Sequence, residues 1–196
     1  MSRVGTNASS LAAWERLGRA AAGLAPGVQL EDRWRSTFQY QHRETREAVV
    51  RPRDPPRVVF VARGFVRFYT LSEAGEHNQF FGAAGDFVYA FLAEQQGIPY
   101  GAEALEPSDL MAIDTFDWEL LGESAAGALV LAVKNRMLEH KAWHSRILQN
   151  RDTLRRAEAL RTWKPEWWVR VPQYHIANYL GVSEVTLSRV LGKDRS

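Results

Sequence analysis

Three textures of hydrophobic spacing succeed one another along the chain. Leu11, Trp14, Leu17, Ala21 and Leu24 return every three or four residues, which predicts a short amphipathic helix ending near Pro26–Gly27. From Trp34 to Ile113 the period shortens. Apolar or alternating runs (STFQYQH, RVVFVARGFVRFYTL, NQFFGAAGDFVYAFL, PYGAEAL and DLMAI) are separated by glycines and by the RPRDPP loop from Arg51 to Pro56. Many short strands with no helix between them predict an antiparallel sandwich, jelly roll or barrel.

Helical spacing resumes at Thr115, which can cap a short helix carrying Phe116, Trp118 and Leu120. A longer helix is expected from about Ser124 to Asn150. Along it Ala126, Val130, Val133, Met137, His140, His144 and Ile147 alternate spacings of four and three, the a/d pattern of a coiled coil. On a helix that joins two domains this seam predicts a homodimer; the alternative is that the same face packs on its own chain. A further helix over Asp152–Trp163 sets Leu154, Ala157 and Leu160 on one side and Arg151, Arg155 and Arg156 near the other, where phosphates could lie. Lys164–Pro165 ends it, and Trp167, Trp168 and Val169 are expected to plug the junction that follows.

The last stretch, VPQYHIANYLGVSEVTLSRVLGKDR, carries the most specific signal. Ile176, Ala177 and Leu180 recur at helical spacing, Gly181 breaks the pattern, and Leu187, Val190 and Leu191 continue it on a second helix. Ala177 is small enough for the helices to cross closely, Gly181 can take the positive φ of a sharp turn, and Ser183 can cap the second helix with Glu184 favourably placed on its dipole. This is the spacing of a DNA-reading helix-turn-helix, although an ordinary helical hairpin satisfies it too. With the apolar side chains inward, Val185, Thr186, Ser188, Arg189 and Lys193 lie on or beside the outer face. Arg189 is then the candidate for bidentate guanine contact, and Gln173, Tyr174, Ser183, Glu184 and the neighbouring residues for phosphate or base-edge contacts.

Charge supports that assignment. The chain of 196 residues has a net charge of only +2, but residues 134–196 hold 13 Lys/Arg against 6 Asp/Glu, whereas residues 1–133 hold 12 against 17. A basic C-terminal third on an acidic body fits a DNA-binding domain fused to another domain. The absence of cysteine excludes disulfides, thiolate zinc sites and cysteine-ligated iron–sulfur clusters. No apolar run is long enough to span a bilayer and no signal peptide is evident, so a cytoplasmic protein with no membrane partner is expected. His140 and His144, four apart, could share a metal, but nothing completes a site, and none is expected. No nucleophile elbow, phosphate-binding glycine loop or metalloprotease helix is present, so no enzyme activity is expected.

Three stretches, RGFVRFYTLSEAGEHNQFFGAAGDFVYAF (Arg63–Phe91), GAEALEPSDLMAID (Gly101–Asp114) and RVPQYHIANYLGVSEVTLSRVL (Arg170–Leu191), resemble the Crp/Fnr superfamily of bacterial transcription regulators. The resemblance implies an α+β protein: an N-terminal antiparallel β jelly roll resembling a cyclic-nucleotide-binding domain, with its N-terminal helix, over residues 1–114; a short helix and a long dimerisation helix over 115–151; and an all-α helix-turn-helix domain over 152–196. It also implies double-stranded DNA, a second copy of the chain and RNA polymerase as partners, a guanine contact for Arg189 and a phosphate contact for Ser183. The dimer seam would be Val130, Val133, Met137, His140, His144 and Ile147. Where cyclic-nucleotide binders carry a Gly-Glu pair and an Arg-Ser, this chain has Val88-Tyr89-Ala90 and Pro99-Tyr100-Gly101. With no cation at Tyr100 a buried phosphate lacks its partner, so cyclic AMP is not expected to bind, and no cofactor is assigned. Tyr89, Phe91, Tyr100 and Glu103 are candidates for a different effector pocket, or fill the barrel with no effector at all. A β-hairpin wing, frequent in the family, is not expected after Leu191. The competing function is a ligand-sensing or protein-interaction module whose helix-turn-helix region contacts a protein.

Overall fold

The computed structural model describes residues 8–89, 93 and 96–193, with only the backbone of Lys193 described. Helix α1 (Ala8–Leu24) precedes eight strands: β1 (Gln39–Arg43), β2 (Ala48–Val50), β3 (Arg57–Arg63), β4 (Phe65–Ser72), β5 (Gly75–Ala83), β6 (Phe87–Tyr89), β7 (Tyr100–Ala104) and β8 (Ser108–Asp114). They form two four-stranded antiparallel sheets, ordered β1-β8-β3-β6 and β2-β7-β4-β5. Among the described residues six helices follow: α2 (Thr115–Gly122), α3 (Gly127–Leu148), α4 (Thr153–Trp163), α5 (Pro165–Arg170), α6 (Gln173–Tyr179) and α7 (Glu184–Lys193). The architecture is α+β, a jelly roll followed by an all-α C-terminal part. None of these helices is long and apolar enough to cross a membrane.

The run Arg57–Leu71 is a single apolar stretch in sequence but two strands in two sheets. The corner is Gly64, at φ 97°, where a Cβ would lie 2.2–2.7 Å from Ser108 atoms. Ser108 occupies that space for a reason: its Oγ accepts from the Phe65 N–H at 3.1 Å and donates to the Glu106 carbonyl at 2.7 Å. Strand β3 is buried on both faces. Val59 and Val61 point between the sheets with Phe65, Phe81, Val88 and Leu110, while Val58 and Phe60 join Trp14, Leu17, Trp118 and Leu121 under α1 and α2. This two-sided burial explains why the strand reads as continuous hydrophobics rather than an alternation.

Helix α3 departs from the sequence reading. Val130, Val133, His140, His144 and Ile147 are buried, and Met137 is half-buried, all within their own chain. Val130 and Val133 close the cluster beneath α1 and α2; Met137 and Ile147 pack on the cluster that contains the helix-turn-helix. The expected dimer seam is therefore an intramolecular contact. The opposite face carries a second stripe at the same spacing, Ala128, Leu131, Asn135, Leu138 and Ala142, and it faces solvent, with Leu131 60% and Leu138 44% exposed.

Candidate nucleic-acid interface

Three local devices build the helix-turn-helix. Gly181 ends α6 in the left-handed region at φ 67°, with the Gly181 N–H donating to the Asn178 carbonyl and the Val182 N–H to the Ala177 carbonyl, each at 3.0 Å. This is a Schellman turn, and it needs the conformational freedom of glycine. Ser183 then caps α7: its Oγ accepts from the Thr186 N–H at 3.1 Å and bonds the Thr186 hydroxyl at 2.8 Å. Ile176, Ala177, Leu180 and Leu187, all buried, lock the two helices together.

The outer face of α7 is open. Glu184, Val185, Ser188 and Arg189 are exposed, Val185 at 78%, and the Arg189 guanidinium has no hydrogen bond or ion pair among the described residues. Thr186 is half-buried, and its hydroxyl bonds Ser183 Oγ in the cap. Gln173 and Tyr174 are exposed at the start of α6, the Tyr174 ring resting 4.1 Å from that of His175. The Lys193 side chain lies outside the described residues. Of the arginines expected near phosphates, Arg156 is turned inward to the Asn150 and Leu180 carbonyls, while Arg151 and Arg155 are exposed. Trp167 plugs the junction as expected and is fully buried; Val169 does not, being 87% exposed.

The pair of helices is seated on the jelly roll by contacts that no local sequence signal marks. Along the edge strand β5, the Asn78 N–H donates to Asn178 Oδ1 at 2.7 Å, Asn78 Nδ2 donates to the His175 carbonyl at 3.1 Å, and Asn178 Nδ2 donates to the Glu76 carbonyl at 2.8 Å. Asn78 Oδ1 accepts from the buried Arg67, which pairs with Glu76 at 2.7 Å and Glu103 at 3.0 Å. At the corner, Arg170 pairs with Glu106, donates to the Gly64 carbonyl at 3.0 Å and covers the Phe65 ring. Phe80 and Phe81 meet Trp167 edge-on, and Phe81 also packs on Tyr179.

Three buried histidines lie in this junction. His144 stacks on Tyr179, with ring centroids 3.8 Å apart, and its Nε2–H donates to the Tyr179 carbonyl at 2.7 Å. His140 Nε2 bonds the Tyr179 hydroxyl at 3.1 Å. His175 faces Asn78 and Arg67. Burial pushes all three down, His140 to about 3 with His144 and Lys164 adding repulsion, His144 to about 4, and His175 to about 4 with Arg67 contributing. They are neutral packing and hydrogen-bonding groups, and no trio of His, Asp or Glu suited to a metal occurs among the described residues.

Of the expected effector-pocket residues, the three that are described, Tyr89, Tyr100 and Glu103, do not line one common cleft. Tyr89 lines a cleft of about 240 Å³ between β4, β5 and α3, and its hydroxyl donates to Glu119 at 3.2 Å. Tyr100 packs against Phe68 on the second sheet without lining that cleft, and Glu103 is held by Arg67. Phe91 lies outside the described residues. Sequence reasoning missed Gln79 and Lys141, which line the cleft; Lys141 Nζ donates to Gln79 Oε1 at 2.5 Å. The one hint was that Lys141 adjoins His140 in the heptad pattern.

No known sequence family and no curated protein matches the chain. Solved structures do. FixK2 from Bradyrhizobium japonicum superposes with a TM-score of 0.63 at 21% identity, covering 80% of this chain and 83% of its own. A protein from Eubacterium rectale described as a transcriptional regulator of the Crp/Fnr family gives 0.64 at 17% identity, covering 93% and 85%. The fold is that of the Crp/Fnr regulators. The regulator CLP of Xanthomonas campestris, described as responsive to c-di-GMP, shares this Crp/Fnr fold with a TM-score of 0.64 at 19% identity, covering 84% of this chain and 89% of its own.

Proposed function

We propose that the protein is a sequence-specific DNA-binding transcription regulator that acts as a homodimer. The observation that carries this reading is the outer face of α7, fixed by the Gly181 turn and the Ser183 cap, with an uncommitted Arg189 beside exposed Val185 and Ser188. A major groove accepts such a helix, and an arginine there bonds both acceptors of a guanine. The Crp/Fnr fold supports it. Two copies are needed to read a two-fold site with half-sites about 10–10.5 base pairs apart. The stripe Ala128, Leu131, Asn135, Leu138 and Ala142 offers the seam: small residues and Asn135 at one set of positions, leucines at the other, the arrangement that sets the register of a two-stranded coil. A protein that binds genomic DNA works in the compartment that holds it, the cytoplasm of a bacterial cell.

Cyclic AMP is not the effector in this reading. Lys141 is the one Lys or Arg lining the cleft among the described residues, the buried Arg67 being committed to Glu76 and Glu103, and at about 240 Å³ the cleft is smaller than the roughly 300–1,000 Å³ of pockets that hold drug-sized ligands. Titration with cyclic AMP tests this; saturable binding at micromolar concentration would refute it.

Selection of bound DNA from a random pool tests the main claim. A palindromic consensus is expected, and an Arg189→Ala variant should lose preference at one base pair per half-site, at a cost of about 1–3 kcal/mol. A protein-binding module would enrich no consensus.

A further inference from the structure

The place of Val185, more than its exposure, sets it apart. Single apolar side chains on a surface are ordinary, but this one, 78% exposed, stands at the middle of the face that the helix-turn-helix leaves open. On α7 the buried Leu187 points into the core. At about 3.6 residues per turn, Val185 and Arg189 then lie within about 20° of the direction opposite to it, one above the other and about 6 Å apart along the axis. Thr186 and Ser188 stand about 80° to either side, and the Thr186 hydroxyl is bonded to Ser183 Oγ. The centre of the open face therefore carries one cation and one branched hydrocarbon.

A side chain at that place meets base edges when the helix enters a major groove. Valine makes no hydrogen bond, and against a purine edge or the amino group of cytosine it would strip water from polar atoms without replacing the lost bonds. One group in the major groove suits it, the C5 methyl that thymine carries and cytosine lacks. Bases stack about 3.4 Å apart, so the helical offset from Arg189 sets that methyl within about two base pairs of the guanine. We propose that Val185 reads a pyrimidine methyl, so that the protein prefers thymine at this step and accepts 5-methylcytosine there in preference to cytosine. The assignment rests on the DNA-binding reading and extends it: methylated and unmethylated copies of one site are bound unequally.

Fluorescence anisotropy with the full chain and its selected duplex, at one salt concentration, tests this group by group. Exchanging each thymine in turn for deoxyuridine removes the methyl and leaves every hydrogen-bonding atom in place. At one position per half-site, within about two base pairs of the guanine that depends on Arg189, affinity should fall roughly fourfold per half-site, the effect of one buried methyl. At that position 5-methylcytosine should bind roughly fourfold more tightly than cytosine. Val185→Ser should bring thymine and deoxyuridine within about twofold of each other while keeping the guanine preference, which also shows that the variant is folded. A consensus with no thymine in that window, equal binding of thymine and deoxyuridine throughout it, or an undiminished methyl preference in Val185→Ser would each overturn the proposal and leave the regulator reading standing. A chain that enriches no DNA sequence refutes the regulator reading, and the methyl contact with it.

Discussion

At the scale of single residues the structure turns on a few positions where chemistry leaves little choice. Gly64 combines a left-handed φ with a Cβ position occupied by Ser108, so Gly64→Ala has to distort both the backbone and the corner that sends the chain from one sheet to the other. It should lower stability by at least about 1–2 kcal/mol in denaturant titration, whereas Gly18→Ala, in the interior of α1 with no atom near the added methyl, should raise it by roughly 0.5–1 kcal/mol. Ser183→Ala removes the cap of α7 and should cost about 0.5–2 kcal/mol, with DNA affinity falling further if the hydroxyl also meets a phosphate. The helix-turn-helix was legible in the sequence because Ala177, Gly181 and Ser183 act within their own neighbourhoods. The α6 docking contacts were not: Asn78 and Asn178 are a hundred residues apart, and an asparagine on an edge strand carries no mark of the helix that will meet it.

At the scale of elements, α3 shows what periodicity can and cannot say. The spacing identified a covered face, Val130 to Ile147, and identified it correctly as apolar; it could not say what covers it. The helix has two heptad stripes, and the more strongly apolar one is taken by the jelly roll and the helix-turn-helix of the same chain. The two faces should therefore respond differently to substitution. Ile147→Ala should cost about 2–5 kcal/mol of stability. Leu131→Lys with Leu138→Lys should leave the melting temperature of the isolated subunit nearly unchanged and shift sedimentation equilibrium toward monomer. A dimer that survives the double substitution would place the two-fold contact elsewhere. Strand β2 was also hard to read, since a three-residue strand holds too few positions to show a period.

At the scale of the whole molecule, the jelly roll and the helix-turn-helix share one buried cluster, running from Val59 and Phe81 through Trp167 to Leu187. A shared core predicts one cooperative unfolding transition rather than two. It also predicts acid sensitivity. His140, His144 and His175 have folded-state pKa values lowered to about 3–4 from an unfolded value of about 6.5, so the unfolded chain takes up protons first as pH falls. Stability should be fully present above pH 6.5 and drop between about pH 6.5 and 3. Burial opposes the shift, but the bonds to Arg63, His42 and Tyr40 hold Asp109 down to about 2, so it loses its contribution only below about pH 4, at the acid end of that window. His42 is raised by Asp109 and Glu44 and acts in the opposite direction, but it is solvent-exposed and screened. A stability profile flat from pH 7 to 4.5 would contradict the neutral histidine junction.

The regulator reading is tested most directly by the affinity of the purified protein for its selected DNA across a salt series, with Arg189→Ala alongside. The logarithm of the binding constant should fall linearly with the logarithm of salt concentration, with a slope of about −0.9 for each phosphate neutralised, and Arg189→Ala should lose preference at one base pair per half-site while keeping most of that slope. Failure of any sequence to be enriched, or a binding constant indifferent to salt, would contradict the account.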